Sequence, residues 1–119
     1  MATTSTSKDV KIFSLSEARS LLPDLQKVTQ KANDRVSELV MSLDAMVPED
    51  PDFHETRKEI DRTVKSWAKK VETHGCLVKG IWLVDFDNGH GYYCWNYPEE
   101  EVDHFHGYDE GFSKRIRIC

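Results

Sequence analysis

Two runs of apolar residues at helical spacing leave this chain few ways to fold. Leu25, Val28, Ala32, Val36, Leu39, Leu43 and Met46 recur at intervals of three and four, the period of a seam along one face of a helix. Phe53, Ile60, Val64, Trp67, Val71 and His74 form a second such run. Between them, Val47-Pro48-Glu49-Asp50-Pro51 stops one helix and restarts another, with Asp50 as an N-cap acid and Pro51 at the first helical position. Each helix so delimited holds about 23–24 residues and is roughly 35 Å long. Matched lengths and a short connection predict a coiled-coil-like antiparallel hairpin.

Upstream, Ser14-Leu15-Ser16-Glu17 has the form of a capping box, the serine accepting from the third helical amide while the glutamate reaches back. Pro23 lacks an amide hydrogen and is expected to divide a short helix at 15–21 from a longer one that starts at the proline. Gly75 is the expected C-cap of the second hairpin helix. Beyond it the period changes. Cys76–Val78, Ile81–Phe86 and Gly91–Tyr97 are short runs rich in aromatic and β-branched residues, as strands are. Asp87-Asn88-Gly89 is a hairpin turn signal. Val102–His106 alternates like a further strand, and Ile116 and Ile118 close the chain with another. The fold class predicted is α+β. Helices occupy about 14–74 and a small antiparallel β unit about 76–118, in one domain over 10–119 after a disordered tail at 1–9.

The charge is unevenly placed. Residues 14–74 carry ten basic and twelve acidic side chains, whereas residues 75–119 carry four and eight. Since affinity for nucleic acid rests on Lys and Arg against phosphate, so acidic a C-terminal unit disfavours that partner. No apolar run approaches the ~20 residues that span a bilayer, and the first nine residues carry no targeting pattern. Cys76, Cys94 and Cys119 are odd in number and without CxxC spacing, which argues against zinc-finger and redox motifs and suits a reducing compartment. The expected location is the cytoplasm.

A set of residues spread over the folded chain carries a resemblance. Phe13-Ser14-Leu15 with Ala18, and Leu21-Leu22-Pro23, lie near the start. Leu83-Val84-Asp85-Phe86, Cys94-Trp95, Glu99, Glu101-Val102, His106, Gly111-Phe112 and Arg115 follow in register. In these positions the chain resembles a prokaryotic family known as the domain of unknown function number 2203. The family usually has glycine where this chain has Trp82, and an aromatic where it has His104. The resemblance implies no activity. It marks five polar positions: Asp85, Cys94, Glu101, His106 and Arg115.

Those positions carry what chemistry the sequence offers. His104 and His106 are two apart in a predicted strand and so face the same way. With Asp85 and Glu101, and with His90 and Cys94 in the same unit, they form a reasonable ligand set for a divalent transition metal such as zinc, iron or manganese. The plainer reading is half-buried histidines with acids on a solvated rim. Cys94 would need an adjacent base, with His106 the candidate, to act as a nucleophile; in an apolar run it is more simply a small core residue. Asp85, a carboxylate in an apolar strand, requires a cation or several donors, and Arg115 is the candidate partner for a structural ion pair. Glu99-Glu100-Glu101 is a loop from which Glu101 could turn inward. Trp67 belongs to the core, His74 to a helix C-terminus that favours a cation, and the charged outer faces of the hairpin to solvent.

Two classes of function follow. In the first, the hairpin is too thin to cover its own seam, flanked as it is by Val40, Val47 and Ala68, and the chain is a self-associating module that forms a homo-oligomer through its helices. In the second, it is a small metal- or ligand-binding protein, with enzymatic activity open, whose site lies around Asp85, Glu101 and His106.

Overall fold

Ser14 caps the first helix as its sequence requires: its side chain accepts from the Glu17 amide at 3.0 Å while Glu17 accepts from the Ser14 amide at 2.9 Å. The computed structural model describes residues 11–118, so the tail at 1–9 and Cys119 lie outside the described residues. Helix α1 runs Leu15–Asp44 without a break. The expected division at Pro23 does not occur. Ala18, Leu22, Leu25, Thr29 and Ala32 make one buried stripe across it, and the burial of that stripe outweighs the one hydrogen bond a proline forfeits.

Helix α2, Phe53–Glu72, is shorter. The two helices hold 30 and 20 residues, about 45 and 30 Å, rather than the matched lengths expected. Asp50 serves the connection, its carboxylate accepting from the Asp52 amide at 2.9 Å, so α2 begins at Phe53 and not at Pro51. Trp67 and Val71 are buried on α2, whereas His74 is exposed beyond its end. Trp67 Nε1 donates to Thr29 Oγ1 at 2.8 Å, a buried bond that ties the helices together. Gly75 takes φ +88°, the left-handed turn that only glycine adopts without strain. Among the described residues no helix is long and apolar enough to cross a membrane.

The β unit is one antiparallel sheet in sequential order, β1 (Leu77–Gly80), β2 (Leu83–Asp87), β3 (Tyr92–Asn96), β4 (His104–His106) and β5 (Ile116–Arg117). The expected strand at 81–86 starts two residues late because Ile81 and Trp82 make the turn from β1. Trp82 stands at φ +62°, a left-handed backbone that favours glycine. The glycine that the resemblance implies at this position would meet that preference. Trp82 is retained here with its ring edge-on to Trp67, centroids 4.8 Å apart.

Because side chains alternate along a strand, the sheet has two unlike faces. Val84, Phe86 and Trp95 point toward the helices and join Phe13, Ala18, Leu22, Leu25, Trp67, Val71 and Val102 in the core. Asp85, Cys94 and His106 point the other way. They are nonetheless 1%, 0% and 3% exposed, because residues 107–115 fold back as a strap across that face. Tyr108 fastens one end of the strap, its hydroxyl donating to Asp87 Oδ1 at 2.6 Å and its ring edge-on to Tyr92. Arg115 fastens the other.

Candidate metal centre

The register of the sheet assembles the centre. Asp85 on β2 sits directly opposite Cys94 on β3, and Cys94 opposite His104 on β4. His106 pairs with Tyr92, so it lies diagonally from Cys94, within reach for a long side chain. Close approach of β4 depends on Gly91, where an added Cβ would come within 2.6 Å of the His106 carbonyl oxygen. A potential ligand atom of Asp85, Cys94 and His106 lies within 4.8 Å of each of the others.

The polar accounting at this point is incomplete. Asp85 Oδ2 is 2.9 Å from His106 Nε2 and 3.6 Å from Lys79 Nζ, yet neither Asp85 oxygen receives a hydrogen bond. The imidazole N–H direction misses the carboxylate, and the ammonium stands too far away. The Cys94 thiol also faces this carboxylate, but a thiol is a weak donor, and a buried carboxylate short of donors is costly. The other imidazole nitrogen, Nδ1, is 3.0 Å from the Gly107 carbonyl oxygen. A carbonyl can only accept, so Nδ1 carries a proton and Nε2 is the nitrogen that faces Asp85. Metal-binding histidines are commonly oriented in this way, with the second ring nitrogen donating to a carbonyl.

Cys94 completes the set. Burial, followed by the Asp85 carboxylate, pushes its thiol up to about 12, against the pull of Arg115. A thiol so protonated and so enclosed is a poor nucleophile. His106 does not form a catalytic relay with it, since one ring nitrogen is committed to Gly107 and the other faces Asp85. Lys79, 40% exposed, arches over the solvent side of Asp85 with its ammonium 4.2 Å from the centre of the Tyr92 ring.

Four of the expected site residues fall elsewhere. Arg115 does not pair with Asp85. Its guanidinium forms a two-pronged ion pair with Glu99, one prong at 3.0 Å, with Nη1 4.0 Å from Cys94 Sγ. Arg115 enters from the β5 edge and meets the end of β3 first, where Glu99 is already anchored by the Asn96 amide at 2.8 Å. Burial pushes the Glu99 carboxyl up, but Arg115 and that amide outweigh it and hold the group below its ordinary range. Glu101 is exposed, because its neighbour Val102 takes the inward position and is fully buried in the core. His104 shares the face of His106 but turns toward Glu99 Oε2, 3.9 Å away, with its Nδ1 buried and lacking a hydrogen bond. His90 is exposed in the β2–β3 turn.

A family model for an uncharacterized conserved protein matches residues 11–118, nearly the whole chain. The chain belongs to the DUF2203 family. No curated protein and no solved structure matches it. Of the five polar positions in which this DUF2203 chain resembles the family, Asp85, Cys94 and His106 converge. Arg115 stands against Cys94, and Glu101 is apart.

Proposed function

We propose that this protein binds one divalent transition metal through Asp85, Cys94 and His106, with zinc the metal best suited to a carboxylate, thiolate and imidazole set. The observation that supports this is the Asp85 carboxylate, 1% exposed and without a hydrogen bond to either oxygen. Charge supports it too. A dication with one carboxylate, one thiolate and a neutral imidazole sums to zero, which suits a site closed to water. Coordination deprotonates the thiol outright, so the high proton affinity of Cys94 in the free protein is no obstacle to its binding metal. Zinc at about 2.0–2.3 Å from each ligand needs them some 3.3–3.8 Å apart, so the widest spacing, up to 4.8 Å, closes by about an ångström, while Asp85 Oδ2 and His106 Nε2, at 2.9 Å, move slightly apart. Three protein ligands leave a fourth position for water or a small ligand.

Elemental analysis of protein purified without chelator tests this directly. The expected result is one equivalent of zinc per chain, and cobalt substitution should give a thiolate charge-transfer band that Cys94→Ser abolishes. His106→Ala should lose the metal and still fold. Protein free of metal, with no thermal shift on adding zinc, manganese or iron, would leave a structural cluster of Lys79, Asp85 and His106.

A second reading, self-association through the hairpin, is supported by the outer half of the helices. There Leu39 is buried, but Val36, Leu43, Met46, Phe53 and Ile60 are half-buried. Val40, Met41 and Val47 are 39%, 74% and 61% exposed. Light scattering at tens of micromolar should give a dimer mass; a monomer mass would remove this reading.

A further inference from the structure

The opposite end of the hairpin seam carries a different feature, independent of the metal centre. Lys27, Lys31 and Arg35 lie four apart along α1, and Arg62, Ser66 and Lys70 lie four apart along α2. Residues at that spacing share one side of a helix. The antiparallel register set by the Thr29–Trp67 bond brings Lys27 to the level of Lys70 and Arg35 to the level of Arg62. These two rows form the rims of a groove of about 520 Å³ whose floor includes Val28, Ala32 and Trp67.

A solvated helix face ordinarily interleaves opposite charges. Here five cations line the groove with one carboxylate, Glu59, and Glu59 is taken by Arg62 at 2.7 Å. Arg35 has Glu38 at 3.4 Å. Among the described residues no carboxylate lies within ion-pair distance of Lys27, Lys31 or Lys70. Like charges four apart, facing further like charges across a groove, cost the helices stability. They do so in a chain whose net charge is −5. An anion between the rims would remove that cost.

We infer that this groove binds a small organic anion, a phosphate- or carboxylate-bearing molecule with an apolar or aromatic body. The rims supply the charge complement, and half-buried Val28, with the small part of Ala32 and Trp67 left open between the helices, supplies the apolar floor. Size favours a small molecule over a docked helix. The volume lies within the range of small-molecule sites, and the nine residues from Lys27 to Arg35 extend only about 12 Å.

The full chain can be titrated calorimetrically with three probes: 1-naphthyl phosphate, inorganic pyrophosphate and 1-naphthol. The first should bind at one per chain and at least about tenfold more tightly than either of the others. Lys31→Glu with Lys70→Glu, both exposed positions, should weaken it about tenfold or more, since each lysine offers a charge-assisted contact. Lys31→Ala with Lys70→Ala should weaken it less, and Asp85→Asn not at all, which separates this site from the metal centre. Circular dichroism should show both double variants folded. Equal affinity for pyrophosphate, binding without a defined stoichiometry, or binding unaffected by charge reversal would each overturn the inference.

Discussion

The two faces of the sheet are shielded from water to the same degree by opposite means. On the inner face Val84, Phe86 and Trp95 are fully buried against the helices, and the one polar side-chain atom among them, Trp95 Nε1, donates to the Glu99 carbonyl at 2.7 Å. On the outer face Asp85, Cys94 and His106 are as deeply buried, yet both Asp85 oxygens lack a hydrogen bond. Burial is therefore a poor guide to stability in this protein. The inner face gains from exclusion of water; the outer face gains only if something charged is excluded along with it.

The contrast can be tested from its strongest consequence downward. Phe86→Ala on the inner face should cost about 3–5 kcal/mol from lost transfer and cavity terms. Urea unfolding should give the same loss with and without chelator. A loss that shrank in chelator would mean the faces are not independent.

His106→Ala on the outer face should behave differently. With free zinc about 100-fold above its dissociation constant, the wild type gains about 2.7 kcal/mol from binding that the variant cannot. In chelator most of that difference should vanish. The proposed coordination would release the Cys94 proton, the free thiol being pushed up to about 12, so zinc affinity should rise about tenfold per pH unit between neutrality and mild alkali. An affinity flat with pH would show that Cys94 is not a ligand.

Arg115→Met tests the rim of the outer face. It leaves Glu99 part-buried without its cation, at a cost of about 1–2 kcal/mol because partial solvent access screens the pair. The sign with pH is fixed by Glu99, whose carboxyl is lowered from 4.5 in the fold. The ion pair contributes fully above that value and is lost as pH falls below it. Denaturation of wild type and variant should differ at pH 7 and converge once the pH falls below the lowered Glu99 carboxyl; a gap that persisted in acid would assign the stabilisation to the stacking of Arg115 on Phe112.

The smallest effect lies in the turn between β1 and β2. Trp82→Gly should be more stable than Trp82→Ala by about 1 kcal/mol, because glycine alone adopts φ +62° freely. Equal stability would place the conformational preference of that turn outside residue 82.

What could be read from the sequence follows the range of the interactions. The capping box at Ser14 and Glu17, the turn glycine at 75 and the alternation about Asp85 are local, and each formed as expected. Pro23 shows where local preference yields: a buried stripe from Ala18 to Ala32 carries the helix through it. Thr29 escaped notice because a polar residue does not mark a seam, although the indole of Trp67 needed an acceptor. The site was legible in part. That Asp85 needs compensation follows from its apolar neighbours; the partner expected for it is Arg115, which the fold places elsewhere, while His106 belongs to the metal-ligand set expected around it. Cys94 belongs beside them because β2 and β3 pair residue for residue from Leu83↔Asn96 to Asp87↔Tyr92, and register of that kind is set by the turn and its hydrogen bonds. The positions of Arg115 and Glu101 depend on how two loops cross the sheet edge, which no periodicity records.

The strap over the outer face has one more consequence, for the rate of exchange. The inner core is built from residues before 107, whereas the outer face is crossed by residues 107–115, held at Asp87 through Tyr108 and at Glu99 through Arg115. A surface segment opens locally at far lower cost than a core unfolds. A cation entering or leaving the proposed site would therefore wait for Tyr108 or Arg115 to let go, and not for the helices and the inner core to open.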